Sequence, residues 1–512
     1  MSPILALSST NYSPRVLTRQ RSSRCSAPDA RIASAEAVWI VLGLTALAAI
    51  LRFATLNVQS IWLDESATMI LVHRGFAGML SHISASESAP PLYYVLVWAW
   101  TKVLGSGPLG FRSFSALAGT ITVPVMYFAG RRISPRVGLW AAALTAVNPA
   151  MYYYSQEARC YALLILFSAC AFVLWQRALQ TPSRQRLALW SGMSILALLT
   201  HYFAVFLFVP EAFLLARRLG WQRLLLPISA VSIVGVALLP LAVSERGNGK
   251  KSEWIEESAL ISRMAETAKE FVVGVYGPLE IFSAFICALL AAGALWLLIR
   301  RGDAHERRSA GEVAIVAATA ILIPLLLAAT RAIDVFDGRN VIAIWMPWAV
   351  LLAAGLGVAR APKAGALLGL GLCAVSLAVI AATNLIPSYQ RDDWRGAAQA
   401  LPKSGPSDRI LVSELDSSLP LSIYLPATRA LTGSTVSTRE LDFIGLRTRR
   451  TGRSPLPPQV PTQAPPGFRF VGMRKTESYA VSTFLAPRAM TVNLRLLRKL
   501  SDEPEAEAIL QR

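Results

Sequence analysis

Two adjacent carboxylates, Asp64 and Glu65 in Ser60-Ile-Trp-Leu-Asp-Glu-Ser66, follow an apolar run long enough to cross a bilayer. Charge is expensive beside hydrocarbon, so acids held at such a border imply a task at the membrane–water interface. A carboxylate within hydrogen-bond reach of a hydroxyl can act as a general base. It is too weak to strip an alcohol beforehand, so proton transfer has to accompany bond formation. The same pair also suits the first turn of a helix starting near Leu63, where acids meet the helix dipole. The dipeptide alone does not decide between the two.

Four further groups carry chemistry. Tyr152-Tyr-Tyr-Ser-Gln-Glu-Ala-Arg159-Cys-Tyr161 lies between two apolar runs. Arg159 there could grip a phosphate through paired N–H donors, and Glu157 could orient it, bind an acceptor or bind a metal. A plain loop ion pair with interfacial tyrosines fits the same residues. His201-Tyr202 closes another apolar run, as a ligand or as a packed histidine. Arg339, in Gly338-Arg339-Asn340, either snorkels or holds a lipid phosphate. Glu87 precedes Pro90-Pro91, whose rings set a rigid entry into the next helix.

The elements that must position these residues are membrane helices. Of 512 residues 54% are hydrophobic and only 16% charged, too apolar for a soluble chain of this length. Apolar runs of bilayer length recur from Ala37 to Pro387. The net charge of +19 is spread over short loops between them, where arginines orient helices, so nucleic-acid binding is excluded. Cys25, Cys160, Cys170, Cys287 and Cys373 have neither metal-ligand spacing nor disulfide-rich density.

Residues 1–36, with Arg15, Arg19, Arg21, Arg24 and Arg31, form a basic cytoplasmic tail, and the first apolar run is a retained helix rather than a cleaved signal. Arg131-Arg132, Arg217-Arg218, Arg300-Arg301 and Arg307-Arg308 mark further cytoplasmic loops. Loops 57–90 and 245–277 then face outward, each with helical apolar spacing: Met69, Met79 and Ile83 in the first suit helices lying along an interface, while Trp254, Met264 and Phe271 in the second fit a second interfacial helix, a mobile flap or ordinary amphipathic loop packing. The segment Pro91–Gly105 reads as a short or oblique helix near the outer face. The fold class is therefore an all-α polytopic membrane protein of about 11–13 transmembrane helices over 37–387. Residues 388–512 are polar and proline-punctuated, with strand-like runs at Ile410–Ser413, Phe468–Gly472 and Tyr479–Leu485 and a basic, Pro-rich loop at 447–466. They read as a small extracytoplasmic α/β C-terminal domain.

The combination resembles the polytopic C-type glycosyltransferases of the protein O-mannosyltransferase and aminoarabinose transferase superfamily. The resemblance is carried, in order, by Trp62-Leu-Asp-Glu65, Pro90-Pro-Leu-Tyr-Tyr94, Arg112 with the helix ending Arg131-Arg132, Tyr154-Ser-Gln-Glu-Ala-Arg-Cys-Tyr-Ala-Leu163, Thr200-His-Tyr202, Arg339 and Asp393-Trp-Arg395. It implies transfer of a sugar, with inversion, from a polyprenyl-phosphate carrier on the extracytoplasmic face of a bacterial inner membrane. It implies Asp64 as catalytic base with Glu65 beside it, Glu157 and Arg159 lining a second active-site loop, and Arg339 on the carrier phosphate. Glu87, His201 and Tyr202 complete the expected substrate-binding set. Two positions depart: Ala89 stands before Pro90 where many relatives have a histidine, and Asn340 follows Arg339 in place of a common tyrosine. A divalent metal built around that missing histidine therefore has no assigned ligands.

The partners expected are a polyprenyl-phosphate sugar donor, membrane lipids, and a glycan, lipid or protein acceptor. A transporter or lipid-linked glycan flippase is the non-enzyme alternative, but it should carry charge near the bilayer midplane. A glycan polymerase or ligase is the other.

Overall fold

The computed structural model describes residues 27–247, 255, 258–402, 408–447, 456–501 and 506–511. Arg15, Arg19, Arg21, Arg24, Cys25, Trp254 and residues 448–455 of the basic loop lie outside them. The helical part comprises α1 (Ala27–Phe53), α2 (Leu63–His73), α3 (Gly75–Ser86), α4 (Leu92–Leu104), α5 (Pro108–Arg131), α6 (Pro135–Val147), α7 (Pro149–Ser155), α8 (Tyr161–Gln180), α9 (Arg184–Thr200), α10 (Val205–Leu219) and α11 (Leu225–Gly247). It continues with α12 (Leu260–Val273), α13 (Glu280–Arg301), α14 (Ala304–Ala329), α15 (Trp345–Leu356) and α16 (Pro362–Leu385).

Proline opens α5, α6, α7 and α16, where its missing N–H costs nothing. Gly105, Gly220 and Gly274 follow α4, α10 and α12 with positive φ, ending those helices. The first helix begins at Ala27, ahead of the apolar run expected from Ala37, because the alanine-rich stretch before it favours helix.

Among the described residues, seven helices are long and apolar enough to cross a membrane: α1, α5, α8, α11, α13, α14 and α16. This is a multi-pass membrane protein. The expected 11–13 crossings also counted α6, α9, α10 and α15, which have only 13, 17, 15 and 12 residues. The 3-10 turns Tyr202–Ala204 and Ile342–Ile344 lengthen α10 and α15 at one end. At 13 residues, α4 falls well short of a bilayer, in keeping with its reading as a short helix. Lipid-facing positions are plain: Leu226, Ile281 and Leu367 are 82%, 84% and 73% exposed on apolar helices.

The two ends of the bundle differ in charge. Arg132, just past α5, and Arg218, in the last turn of α10, both pair with Glu312 in α14, so these basic clusters share one face. Arg112 lies near the opposite end of α5, about 30 Å away at 1.5 Å per residue. The loops before α5 therefore gather at the far face. There α2 and α3 occupy the 57–90 loop and α12 the 245–277 loop, the helices expected from apolar spacing.

The C-terminal part contains α17 (Trp394–Ala400), β1 (Arg409–Ser413), α18 (Ser418–Tyr424), β2 (Thr428–Ala430), β3 (Thr435–Leu446), β4 (Arg469–Lys475), β5 (Tyr479–Asn493), α19 (Leu494–Leu500) and β6 (Glu507–Gln511). The sheet order is β2-β6-β1-β3-β5-β4, with β1 and β3 parallel and the other pairs antiparallel. Leu411, Ile444 and Val481 on one face pack with Trp394 and Leu421 from α17 and α18. Ile410, Phe443 and Phe484 on the other pack with Leu494 and Leu497 of α19. The three strands expected are present. Of those missed, β3 starts in the polar run Thr435–Glu440, and β2 and β6 have three and five residues, too short to show a period.

Helix spacing is set by small residues. A Cβ on Gly355 of α15 would meet the Ala294 carbonyl of α13 at 2.2 Å. Gly355→Val should therefore force these helices apart and cost about 1–3 kcal/mol, read as a lower Tm of the detergent-solubilised protein; an unchanged Tm would contradict this packing.

Candidate active site

The site is built on the first turn of α2. Successive residues on a helix point about 100° apart, so Asp64 and Glu65 face different surroundings. Glu65 is fully buried. Its Oε1 accepts Arg112 Nε at 2.7 Å and the Ala158 N–H at 2.9 Å. Its Oε2 accepts Arg112 Nη2 at 2.5 Å and Arg391 Nη1 at 3.3 Å. Burial opposes its charge, but Arg112, then Arg391 and the Ala158 N–H, hold its pKa below the ordinary glutamate value. Arg112 also donates to the carbonyls of Leu56, Gln59 and Ser60, fixing the chain that enters α2. Glu65, expected beside Asp64 in catalysis, is thus an anchor with both oxygens occupied. Asp64 keeps 24% of its side chain exposed and meets Arg339 Nη1 at 2.9 Å, a contact between residues 275 apart in sequence.

The second wall is the turn between α7 and α8. Asn148 caps α7 through the Met151 N–H at 3.0 Å. Arg52 at the end of α1 donates to the Thr145 and Ala146 carbonyls and to Ser155 Oγ, so α1, α6 and α7 meet at one guanidinium. The turn so held carries Glu157 and Arg159, both buried. Arg159 pairs with Glu87, which also accepts the Tyr94 hydroxyl at 2.7 Å. Glu87 therefore orients Arg159. Glu157 Oε2 finds no hydrogen-bond partner among the described residues. Burial pushes Glu157 up to about 7; Asp64 and Glu65 add to the shift, and Arg391 and Arg159 oppose it.

The third wall brings Arg339 and α12 together. Arg263 of α12 holds Asp334 through two bonds of 2.7 and 2.6 Å and donates to the Phe336 carbonyl. Asn148 and Trp345 both donate to the Phe271 carbonyl. Gly274, at φ +81°, lets α12 end against Pro149, which a Cβ would approach to 2.8 Å. Glu270 accepts the Tyr154 hydroxyl at 2.5 Å, and its Oε2 occupies the space a Cβ on Gly338 would need. Burial, with nearby Asp337, pushes Glu270 up to about 7 against the Tyr154 hydroxyl, Lys269 and Arg339. Arg339 also meets Asp337 at 3.4 Å.

His201 is buried at the end of α9, its ring 4.9 Å from Phe203 and 5.8 Å from Tyr161. Burial and the positive Arg159 and Arg339 push its pKa down to about 3, so it is neutral. Tyr202 is placed elsewhere: its hydroxyl donates to Glu245 at 2.9 Å and its ring packs with α9 and α11. Among the described residues, no three His, Cys, Asp or Glu side chains converge as a metal site.

The structure thus gathers Asp64, Glu65, Glu87, Glu157, Arg159, His201 and Arg339, leaves Tyr202 outside, and adds Arg391, Glu270 and Asp337. Nothing in the local sequence marks Glu270 or Arg391, which sit among other charges in polar stretches. With Glu157 and Glu270 protonated, the carboxylates of Asp64, Glu65, Glu87 and Asp337 face the guanidinium groups of Arg112, Arg159, Arg339 and Arg391, four against four. The arrangement offers a half-exposed base, cations for an oxyanion, and a protonated acid able to donate a hydrogen bond.

Comparisons with known proteins agree with this architecture. Residues 88–244 match the family model described as dolichyl-phosphate-mannose-protein mannosyltransferase. No curated protein matches the chain. Among solved structures, ArnT from Cupriavidus metallidurans bound to undecaprenyl phosphate aligns with a TM-score of 0.51 at 13% identity, over 87% of this chain and 98% of that one. Its apo form aligns at 0.52, also at 13% identity, over 88% and 98%. The chain has the fold of ArnT. The resemblance to the protein O-mannosyltransferase and aminoarabinose transferase superfamily thus holds both in the matched segment and in the architecture.

Glu270 gives a test of this electrostatic picture. Its folded pKa of about 7 lies above the unfolded value of about 4.3, so the native state holds the extra proton. That contribution is full below pH about 4 and is lost as pH rises through about 7. Glu270→Gln cannot titrate. The Tm of the wild type should fall more between pH 5 and pH 8 than that of the variant; parallel curves would refute the assignment.

Proposed function

We propose that this protein is a membrane glycosyltransferase that moves a sugar from a polyprenyl-phosphate carrier to a lipid, glycan or protein hydroxyl on the extracytoplasmic face, with inversion. The observation that carries the reading is the 2.9 Å contact of Asp64 with Arg339 at the end of the bundle away from the basic loops. A general base and a phosphate-binding cation meet there, beside Arg159 and Glu157.

The chemistry follows from these groups. The acceptor oxygen attacks the anomeric carbon as the bond from that carbon to the phosphate oxygen breaks, and the carrier leaves as polyprenyl phosphate. Asp64 takes the acceptor proton as the new bond forms. Arg339 stabilises the charge that develops on the departing phosphate, with Arg159 next in line behind Glu87. The two arginines are held by carboxylates before substrate arrives, so little reorganisation is needed at the moment of reaction. Attack from the side opposite the phosphate gives inversion. The fold shared with ArnT, a protein solved with undecaprenyl phosphate bound, supports a polyprenyl-phosphate donor, and the matched mannosyltransferase segment supports sugar as the group moved.

Asp64→Asn removes the base while keeping size and some hydrogen bonding. Transfer from undecaprenyl-phosphate sugars by the purified protein should drop by about 10²–10⁴-fold with the protein still folded; undiminished transfer would reject Asp64 as base. For the face, a cysteine at the exposed position Ala489 of β5, in a background without the native cysteines, should react with a membrane-impermeant maleimide added to intact cells. Protection until the cells are broken would put the C-terminal domain, and with it the site, on the cytoplasmic side.

A further inference from the structure

Arg391 lies six residues beyond the last membrane helix, at the entrance to the C-terminal domain, yet its side chain is buried in the membrane domain's site. Its Nη1 reaches Glu65 Oε2 and the Gln156 carbonyl, both at 3.3 Å, and its Nη2 reaches the Tyr153 carbonyl at 3.3 Å. The guanidinium lies 4.2 Å from the centre of the Tyr153 ring and 5.6 Å from that of Trp62, and the Arg391 N–H donates to Gln59 Oε1 at 3.1 Å. One side chain therefore ties the start of α2 to the turn that carries Glu157.

The residues after it fasten the domain to the same chain. Arg395 donates to the carbonyls of Asn57 and Gln59 and to Asn57 Oδ1, its N–H reaches Ser60 Oγ at 2.7 Å, and Tyr424 of α18 accepts the Ile61 N–H at 2.6 Å. The C-terminal domain thus grips residues 57–61, immediately before Asp64.

We propose that Arg391 is a positioning residue for the transfer reaction: it locks the Glu157 turn against α2 so that the Glu157 carboxyl faces Asp64, making the C-terminal domain an integral part of the site. Glu157 has an oxygen without a hydrogen-bond partner among the described residues, in a buried setting where a bound acceptor or donor hydroxyl would satisfy it. The groups that act on Glu157 are Asp64 and Glu65 from α2, Arg391, Arg159 and Cys160 from its own turn, and Tyr153, Tyr154 and Tyr161 from α7 and α8. Arg391 is the cation that stabilises its charged form most. Removing it should make Glu157 harder to ionise as well as less well placed.

The test has a chemical arm that needs no sugar and a kinetic arm that rests on the glycosyltransferase reading. In the first, the full-length purified protein is treated with a hydrophobic carbodiimide, which reacts with protonated buried carboxyls, from pH 5 to pH 9. Labelling of Glu157 is read by peptide mass spectrometry. Arg391→Gln should move the labelling midpoint up by about one pH unit or more, and Arg391→Lys, which keeps the charge, should restore most of it. In the second arm, with undecaprenyl-phosphate sugars, Arg391→Gln should lower kcat about 10²-fold with donor KM little changed, and shift the alkaline limb of the pH profile, where Glu157 loses its proton, upward. Arg391→Lys should remain well below wild type in kcat, because an ammonium cannot make all three contacts.

A Glu157 midpoint unmoved in folded Arg391→Gln overturns the proposal, as does wild-type kcat in Arg391→Lys. Should Arg391→Gln fail to fold, Arg391→Lys alone decides. If the midpoint moves but no variant nor the wild type transfers sugar, the positioning role of Arg391 stands and the glycosyltransferase reading fails.

Discussion

The carboxylate of Glu65 is the interaction on which the rest of the site depends. It is fully enclosed, and every direction in which it accepts a hydrogen bond leads to a different element: α5 through Arg112, the α7–α8 turn through Ala158, and the approach to the C-terminal domain through Arg391. A buried charge tolerates no slack, because an unmatched oxygen in such surroundings costs several kcal/mol. The requirement to satisfy one carboxylate therefore fixes three segments in a common frame. Asp64 inherits its position from that frame, one residue and about 100° away on the same helix.

Holding the anchor dry leaves its neighbour free to work. Asp64 is half-exposed and meets a guanidinium that is itself shared with Asp337. Around it, carboxylates and guanidinium groups balance while Glu157 and Glu270 keep their protons. A site that binds an anionic lipid headgroup gains from this arrangement. Its cations are already desolvated and oriented by weak acids, and an incoming phosphate exchanges partners without having to assemble them.

Two segments outside the central helices close the frame. Helix α12 lies across the ends of α7 and α13 and is tied to the Arg339 segment by the Arg263–Asp334 fork and by Glu270 packed on Gly338. The C-terminal domain reaches back through Arg391, Arg395 and Tyr424 to the chain that leads into α2. Neither is an appendage in geometric terms. Each supplies hydrogen bonds to backbone groups of the segments that carry the site.

Much of this was legible in the chain. Apolar runs of bilayer length, arginines at their ends and paired acids after the first run were enough for a multi-pass membrane protein with Asp64, Glu157, Arg159 and Arg339 gathered at one end, because hydrocarbon imposes length and charge rules that act locally. The shorter helices α6, α9, α10 and α15 were counted as crossings from their apolar sequence, but their lengths fall below those of the helices that qualify as spans. What only the tertiary structure decided was the division of labour between neighbours. Glu65 and Asp64 are equivalent in sequence, and Glu270 and Arg391 look like any loop charges; their roles follow from which partners are brought within 3.3 Å across 47 to 326 residues. Tyr202 fell outside the site for the same reason, drawn to Glu245 on α11. Local patterns determine which segments enter the membrane, whereas burial and pairing of charge depend on distances that exist only once those segments pack.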